Sequence, residues 1–227
     1  MAVICLERRL IFIKTSKTAG TSIEVELSRR LGPNAVVTPI FPAEPGHQPR
    51  NHLGANGEAR FYNHMTAAEV RALIGEDAFR PCFKFAVERE PVDKCLSHFH
   101  MLKNRDDAHA LPEAERSALT WASYVAQGRF PVDAAKYRDP DAPDRLLVDR
   151  VIAYETLASD LPALLAQAGI ANFRLEARAK GDYRREAVLG REEVTAEQRA
   201  RIYAAFSETI TLTRLYRRVT ELRRGLA

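Results

Sequence analysis

Between a short apolar run and an amphipathic one stands the stretch Lys14-Thr15-Ser16-Lys17-Thr18-Ala19-Gly20-Thr21-Ser22. Small side chains let another molecule approach the backbone, amide N–H groups at a helix start point outward, and Lys17 adds a full positive charge. Such a cradle suits a phosphate or a sulfate. The lysine precedes the glycine, so the G-x-x-x-x-G-K-[ST] pattern of ordinary ATP-binding loops is absent. A plain polar turn with a solvated Lys17 is the competing account. A second pair, Arg89 and Ser97, opens a similar loop-to-helix unit, where a guanidinium fork and a hydroxyl two helical turns on suit a second phosphate. Surface pairing of Arg89 with Glu88 or Glu90 is the alternative there.

Histidine titrates near neutrality, and His64 falls between these two motifs, which makes it the candidate general base. A histidine just before a helix start can equally be a capping or surface residue, and the positive helix end would lower its pKa. Glu44, His47 and His52 are reserve bases; His98 and His100 flank Ser97, and His109 reads as exposed. No convergent metal-ligand spacing is present, so no metal is expected.

The elements that must position these residues follow from periodicity. Residues 3–6 and 10–13 read as two short strands joined by the charged turn Glu7-Arg8-Arg9. Ile23, Leu27 and Leu31 share a helix face that Gly32-Pro33 ends. Residues 38–60, rich in Pro, Gly, Asn and His, read as a long loop that faces substrate. Thr66 and Glu69 have capping-box spacing ahead of Val70, Leu73 and Ile74, with Gly75 as the stop. A second strand is expected over 82–87, followed by a helix carrying Val92, Leu96, Phe99 and Leu102 on one face. Residues 103–145 are polar and Pro-interrupted, with a helix around 119–125. A third strand over 146–154 precedes a helix with Leu157, Leu161, Leu164 and Leu165, and Thr195 with Gln198 caps a long helix that runs through Ile202, Phe206 and Ile210. This alternation predicts one α/β domain over 1–227, a mostly parallel sheet with helices on both faces in a P-loop-like three-layer arrangement.

The bulk numbers set limits on partners. A net charge of +4 suits a phosphate-bearing small ligand or an acidic acceptor; with basic residues interspersed among acids, nucleic acid is not implied. Cys5, Cys82 and Cys95 are odd in number and form no C-x-x-C pair, which points to reduced thiols and a cytoplasmic setting. Charges at 7–9 interrupt the early apolar residues, so neither a signal-peptide core nor an integral membrane segment is expected.

The stretches Ile11 through Ser22 and Phe83 through Ser97 resemble, in order, separation and Arg-to-Ser spacing, the two signatures with which sulfotransferases bind 3′-phosphoadenosine 5′-phosphosulfate (PAPS). The branch most similar in look is that of carbohydrate O-sulfotransferases of the heparan 2-O type. The resemblance extends to Val151 through Leu157 and to the C-terminal helix, and excludes residues 33–60 and 103–145. Glu88 and Glu90 depart from it, since aspartate is commoner near the arginine. It implies that Lys17, Thr18, Ala19, Gly20, Thr21 and Ser22 hold the 5′-phosphosulfate and that Arg89 and Ser97 hold the 3′-phosphate. It also implies a catalytic histidine in the interval where His64 lies, and makes Arg178-Ala179-Lys180-Gly181 a weak candidate for a further nucleotide contact. The expected activity is sulfuryl transfer from PAPS, without metal, to a hydroxyl on a small molecule or glycan, with Lys17 beside the bridging oxygen. A nucleotide kinase or NTPase, or a non-catalytic nucleotide-binding domain, are the rival classes.

Overall fold

The computed structural model describes residues 2–177 and 189–216. Strands β1 (Ala2–Cys5) and β2 (Leu10–Ile13) form a hairpin, with Val3 opposite Phe12. Helix α1 (Gly20–Arg30) follows, and β3 (Val36–Val37) pairs antiparallel with β1. Helices α2 (Ala67–Ile74) and α3 (Glu76–Phe79) lead into β4 (Phe83–Glu88), which lies parallel to β2. The chain continues through α4 (Pro91–Asn104), α5 (Glu113–Ala118), α6 (Trp121–Gln127) and α7 (Ala134–Tyr137). Strand β5 (Arg150–Ala153) pairs parallel with β4, and α8 (Leu157–Gln167), α9 (Ala196–Ala205) and α10 (Ser207–Thr213) complete the described elements.

Among the described residues the sheet has five strands, in the order β3-β1-β2-β4-β5. It is mixed. The centre, β2-β4-β5, is parallel as expected, but β1 runs the other way, because a turn as short as residues 6–9 can join two neighbouring strands only as an antiparallel hairpin, and β3, antiparallel to β1, points with the central strands again. The strand expected over 146–154 is shorter. Leu146 bridges Arg138, and the Asp149 carboxylate accepts the Lys84 amide N–H at 2.7 Å, so regular pairing begins only at Arg150.

Two compact units divide the chain: Met1–Glu88 with Asp133–Ala179, and Arg89–Val132 with Lys180–Ala227. In the first, alternation along the strands sorts side chains to two faces. Leu10, Phe12, Phe85, Val87 and Ile152 pack on one face with Ile23 and Leu27 of α1 and Leu161 and Leu165 of α8. On the other face the Lys84 ammonium lies 5.1 Å from the Phe79 ring of α3, and Tyr137 of α7 donates to Glu88 at 3.0 Å. Helices therefore flank both faces of the sheet within this unit. The second unit has its own core of Val92, Leu96, Phe99, Trp121, Tyr124, Ile202 and Phe206. The long helix expected after Thr195 is two helices, broken at Phe206, whose ψ of 10° leaves the helical range. No helix among the described residues is long and apolar enough to cross a membrane.

Candidate functional site

The polar stretch after β2 leaves the sheet at the carboxyl end of a parallel strand, the edge at which open α/β sheets bind ligands. Its backbone is unusual. Lys17 (φ 61°) and Ala19 (φ 60°) both adopt the left-handed conformation, although neither is glycine. Each such residue costs about 1–2 kcal/mol, and alternation of left-handed residues with their neighbours curves consecutive amides into an anion-binding concavity. Helix α1 starts immediately after Ala19 with no side-chain cap and no acid in its first turn. The surrounding contacts hold this shape. Thr15 donates its hydroxyl to the Val87 carbonyl of β4, and the Thr15 and Thr18 hydroxyls lie 2.8 Å apart.

Beneath the loop lies Lys14, which is buried. Its ammonium donates to the Thr21 hydroxyl at 2.9 Å and sits 3.6 Å from the Glu24 carboxylate, which is fully buried in α1. Glu24 in turn meets His47 Nε2 at 3.3 Å, tying the 38–60 loop to the same helix. A Cβ on Gly20 would stand 2.5 Å from Lys14 Cγ, so glycine is required for this side chain to pass.

A second chain of contacts runs along the loop's side. Asp133 accepts the Ser16 amide N–H at 2.6 Å and meets the Ser16 hydroxyl at 3.2 Å. Lys136, three residues on, lies 2.5 Å from Asp133, 3.4 Å from the Ser16 hydroxyl and 3.1 Å from His64 Nδ1. His64 itself is in the left-handed region (φ 66°), just before the capping box in which Thr66 and Glu69 exchange hydrogen bonds. The residue keeps an exposed edge, yet desolvation on its inner side, with the Lys136 charge next and Lys14 behind it, lowers its pKa to about 3 against a smaller opposing effect of Asp133. The ring is thus neutral near pH 7.

The structure therefore brings Lys17 through Ser22 together with Lys14, Asp133, Lys136 and His64. Arg89 follows β4 directly, and Ser97 lies half-buried in α4; both belong to the second unit. There Glu90 caps α4 through the Asp93 amide and accepts from the Tyr203 hydroxyl. His98 pairs with the Tyr124 hydroxyl at 3.0 Å, and His100 approaches the Leu189 carbonyl at 3.5 Å. His52 keeps a buried Nδ1 with no hydrogen-bond partner among the described residues. Arg178-Ala179-Lys180-Gly181 lies outside the described residues. Among the described residues no group of three or more His, Cys, Asp or Glu side chains is arranged to hold a metal.

Lys14, Glu24, Asp133 and Lys136 are absent from the sequence-based candidates. Asp133 carries a faint local signal, an acid ahead of a short alanine-rich segment with a lysine at the i+3 position. No protein-family model, curated protein or solved structure matches the chain.

Proposed function

We propose that this protein is a sulfotransferase that moves the sulfuryl group of PAPS to an acceptor hydroxyl, on a carbohydrate or glycoconjugate. The observation that carries this reading is the pair of left-handed, non-glycine residues Lys17 and Ala19 leading into the uncapped start of α1. Strain of this kind persists where the surrounding structure holds it for a purpose, and an anion-binding concavity is the purpose that this geometry fits. The lack of an acid in the first turn of α1 and the charge of Lys17 fit the anionic phosphosulfate.

When bound, PAPS supplies an activated sulfuryl group: the acceptor oxygen bonds to sulfur, the bond from sulfur to the bridging oxygen breaks, adenosine 3′,5′-bisphosphate leaves with that electron pair, and the hydroxyl proton passes to water. The residues contribute position and charge. Loop amides and the first turn of α1 orient the anionic oxygens, Thr18, Thr21 and Ser22 offer hydroxyls, and Lys17 offsets the negative charge that grows on the bridging oxygen. The resemblance assigns Arg89 and Ser97 to the 3′-phosphate.

Calorimetric titration with adenosine 3′,5′-bisphosphate, beside ATP and ADP without magnesium, tests the reading. Preference for the bisphosphate is expected. Preference for ATP would replace it with a kinase or NTPase, and binding of none of the three would leave a non-catalytic domain.

A further inference from the structure

The contact chain Ser16, Asp133, Lys136, His64 has a polarity. An ammonium group carries hydrogens and no lone pair, so Lys136, at 3.1 Å from His64 Nδ1, can only donate to that nitrogen. Nδ1 must then present its lone pair, and the single proton of a neutral imidazole is left to Nε2. We infer that Lys136 is a positioning residue that holds His64 as its neutral Nε2–H tautomer, so that the ring meets a bound anion as a hydrogen-bond donor and takes no proton from the acceptor.

Two further observations support this assignment. Lys136 is itself fixed, because Asp133 lies 2.5 Å from it with a side chain only 4% exposed, and Asp133 is anchored by both the amide and the hydroxyl of Ser16. The donor is thereby attached to the anion loop. The order of charges is also the reverse of a base-activating one. A carboxylate placed directly on a histidine Nδ1–H stabilises the imidazolium and strengthens the base at Nε2. Here a cation stands between the carboxylate and the ring, and Lys14 adds a second positive charge, so protonation of His64 is opposed. The depressed pKa of His64 agrees with this arrangement and follows from it, together with desolvation.

The inference rests on the sulfuryl-transfer reading only in what the Nε2–H would meet, a sulfuryl or phosphate oxygen. The tautomer itself is a property of the free protein. Two-bond proton–nitrogen correlation spectra of 15N-histidine-labelled protein decide it, with His64→Gln identifying the signal. At pH 7 His64 should show a protonated Nε2 and an unprotonated Nδ1, and should remain neutral down to pH 5. Lys136→Met should give a mixture of tautomers and a His64 titration raised from the wild-type one, still below the ordinary value because desolvation and Lys14 remain, while Lys136→Arg should keep the Nε2–H form. A wild-type Nδ1–H tautomer, an imidazolium at pH 7, or a Lys136→Met spectrum identical to wild type would overturn the assignment. Should Lys136→Met fail to fold, Lys136→Gln takes its place, because an amide can accept as well as donate and no longer forces a lone pair onto Nδ1. Because no nucleotide enters this experiment, its failure is distinguishable from failure of the bisphosphate titration.

Discussion

Replacing Lys14 by methionine removes a charge from beneath the anion loop while keeping most of the aliphatic stem. The two side chains of the Lys14–Glu24 pair are 6% and 0% exposed, with 3.6 Å between nitrogen and oxygen. At an effective dielectric constant of about 20, unit charges at that distance attract by about 4.6 kcal/mol. Loss of one partner from a buried pair costs about 3–5 kcal/mol, since the remaining charge stays desolvated. His47, at 3.3 Å from the other carboxylate oxygen, offsets part of this, so a loss of about 3 kcal/mol is expected for Lys14→Met. Urea denaturation at pH 7 measures it. The double variant Lys14→Met/Glu24→Leu should recover most of the loss, because no buried charge is then left without its partner. A single-variant loss below about 1 kcal/mol, or a double variant no more stable than the single one, would refute the argument that Lys14 and Glu24 compensate each other's burial.

Gly20→Ala should destabilise by about 1–3 kcal/mol, because its Cβ meets the Lys14 stem and that side chain cannot swing aside without losing Thr21 and Glu24; a variant as stable as wild type in the same urea assay would contradict this. Arg89→Ala should weaken bisphosphate binding by about 1.5–3 kcal/mol, with a smaller effect on nucleotides lacking a 3′-phosphate, and equal losses on both in calorimetry would remove its assigned role. Lys17→Ala should lower turnover more than nucleotide affinity; single-turnover sulfation at the wild-type rate would exclude it from the reaction. For His64 the native pKa of about 3 lies below the ordinary unfolded value of about 6.5, so the unfolded chain binds the extra proton. Its contribution to stability is present above about pH 6.5 and is lost as the pH falls toward 3, so His64→Gln should flatten that part of the acid-stability curve. An unchanged curve would show that the ring is not held neutral.

Local signals were legible where local physics decides. Thr66 and Glu69 announce the start of α2 through reciprocal hydrogen bonds, and Gly75 (φ 84°) ends it, as the spacing implies. The anion loop could be bounded because an apolar strand and an amphipathic helix frame it. What escaped was set by distance along the chain. Lys14 reads as the residue that ends a strand, and nothing near it announces that its ammonium turns under the loop to Glu24. Asp133 and Lys136 lie in a stretch whose prolines erase any period, and their partners Ser16 and His64 are 117 and 72 residues away. The reversal of β1 was readable in principle from the brevity of the 6–9 turn, but strand–helix alternation elsewhere outweighed it. Phe206 continues the apolar spacing of α9 into α10, so periodicity passes through a break that only the backbone angles reveal.

The hydrogen bond from Ser16 to Asp133 also puts a clock on the biosynthesis of the site. When the loop leaves the ribosome the carboxylate that holds its amide has not yet been made, and at about 5–20 residues per second the missing 117 residues take on the order of 10 s to arrive. β5, which pairs with β4, is translated later still. A nascent chain arrested before residue 133 would carry the full loop sequence without its anchor, so the capacity to bind an anion should be absent from it and appear only in longer chains from which Asp133 and β5 have emerged.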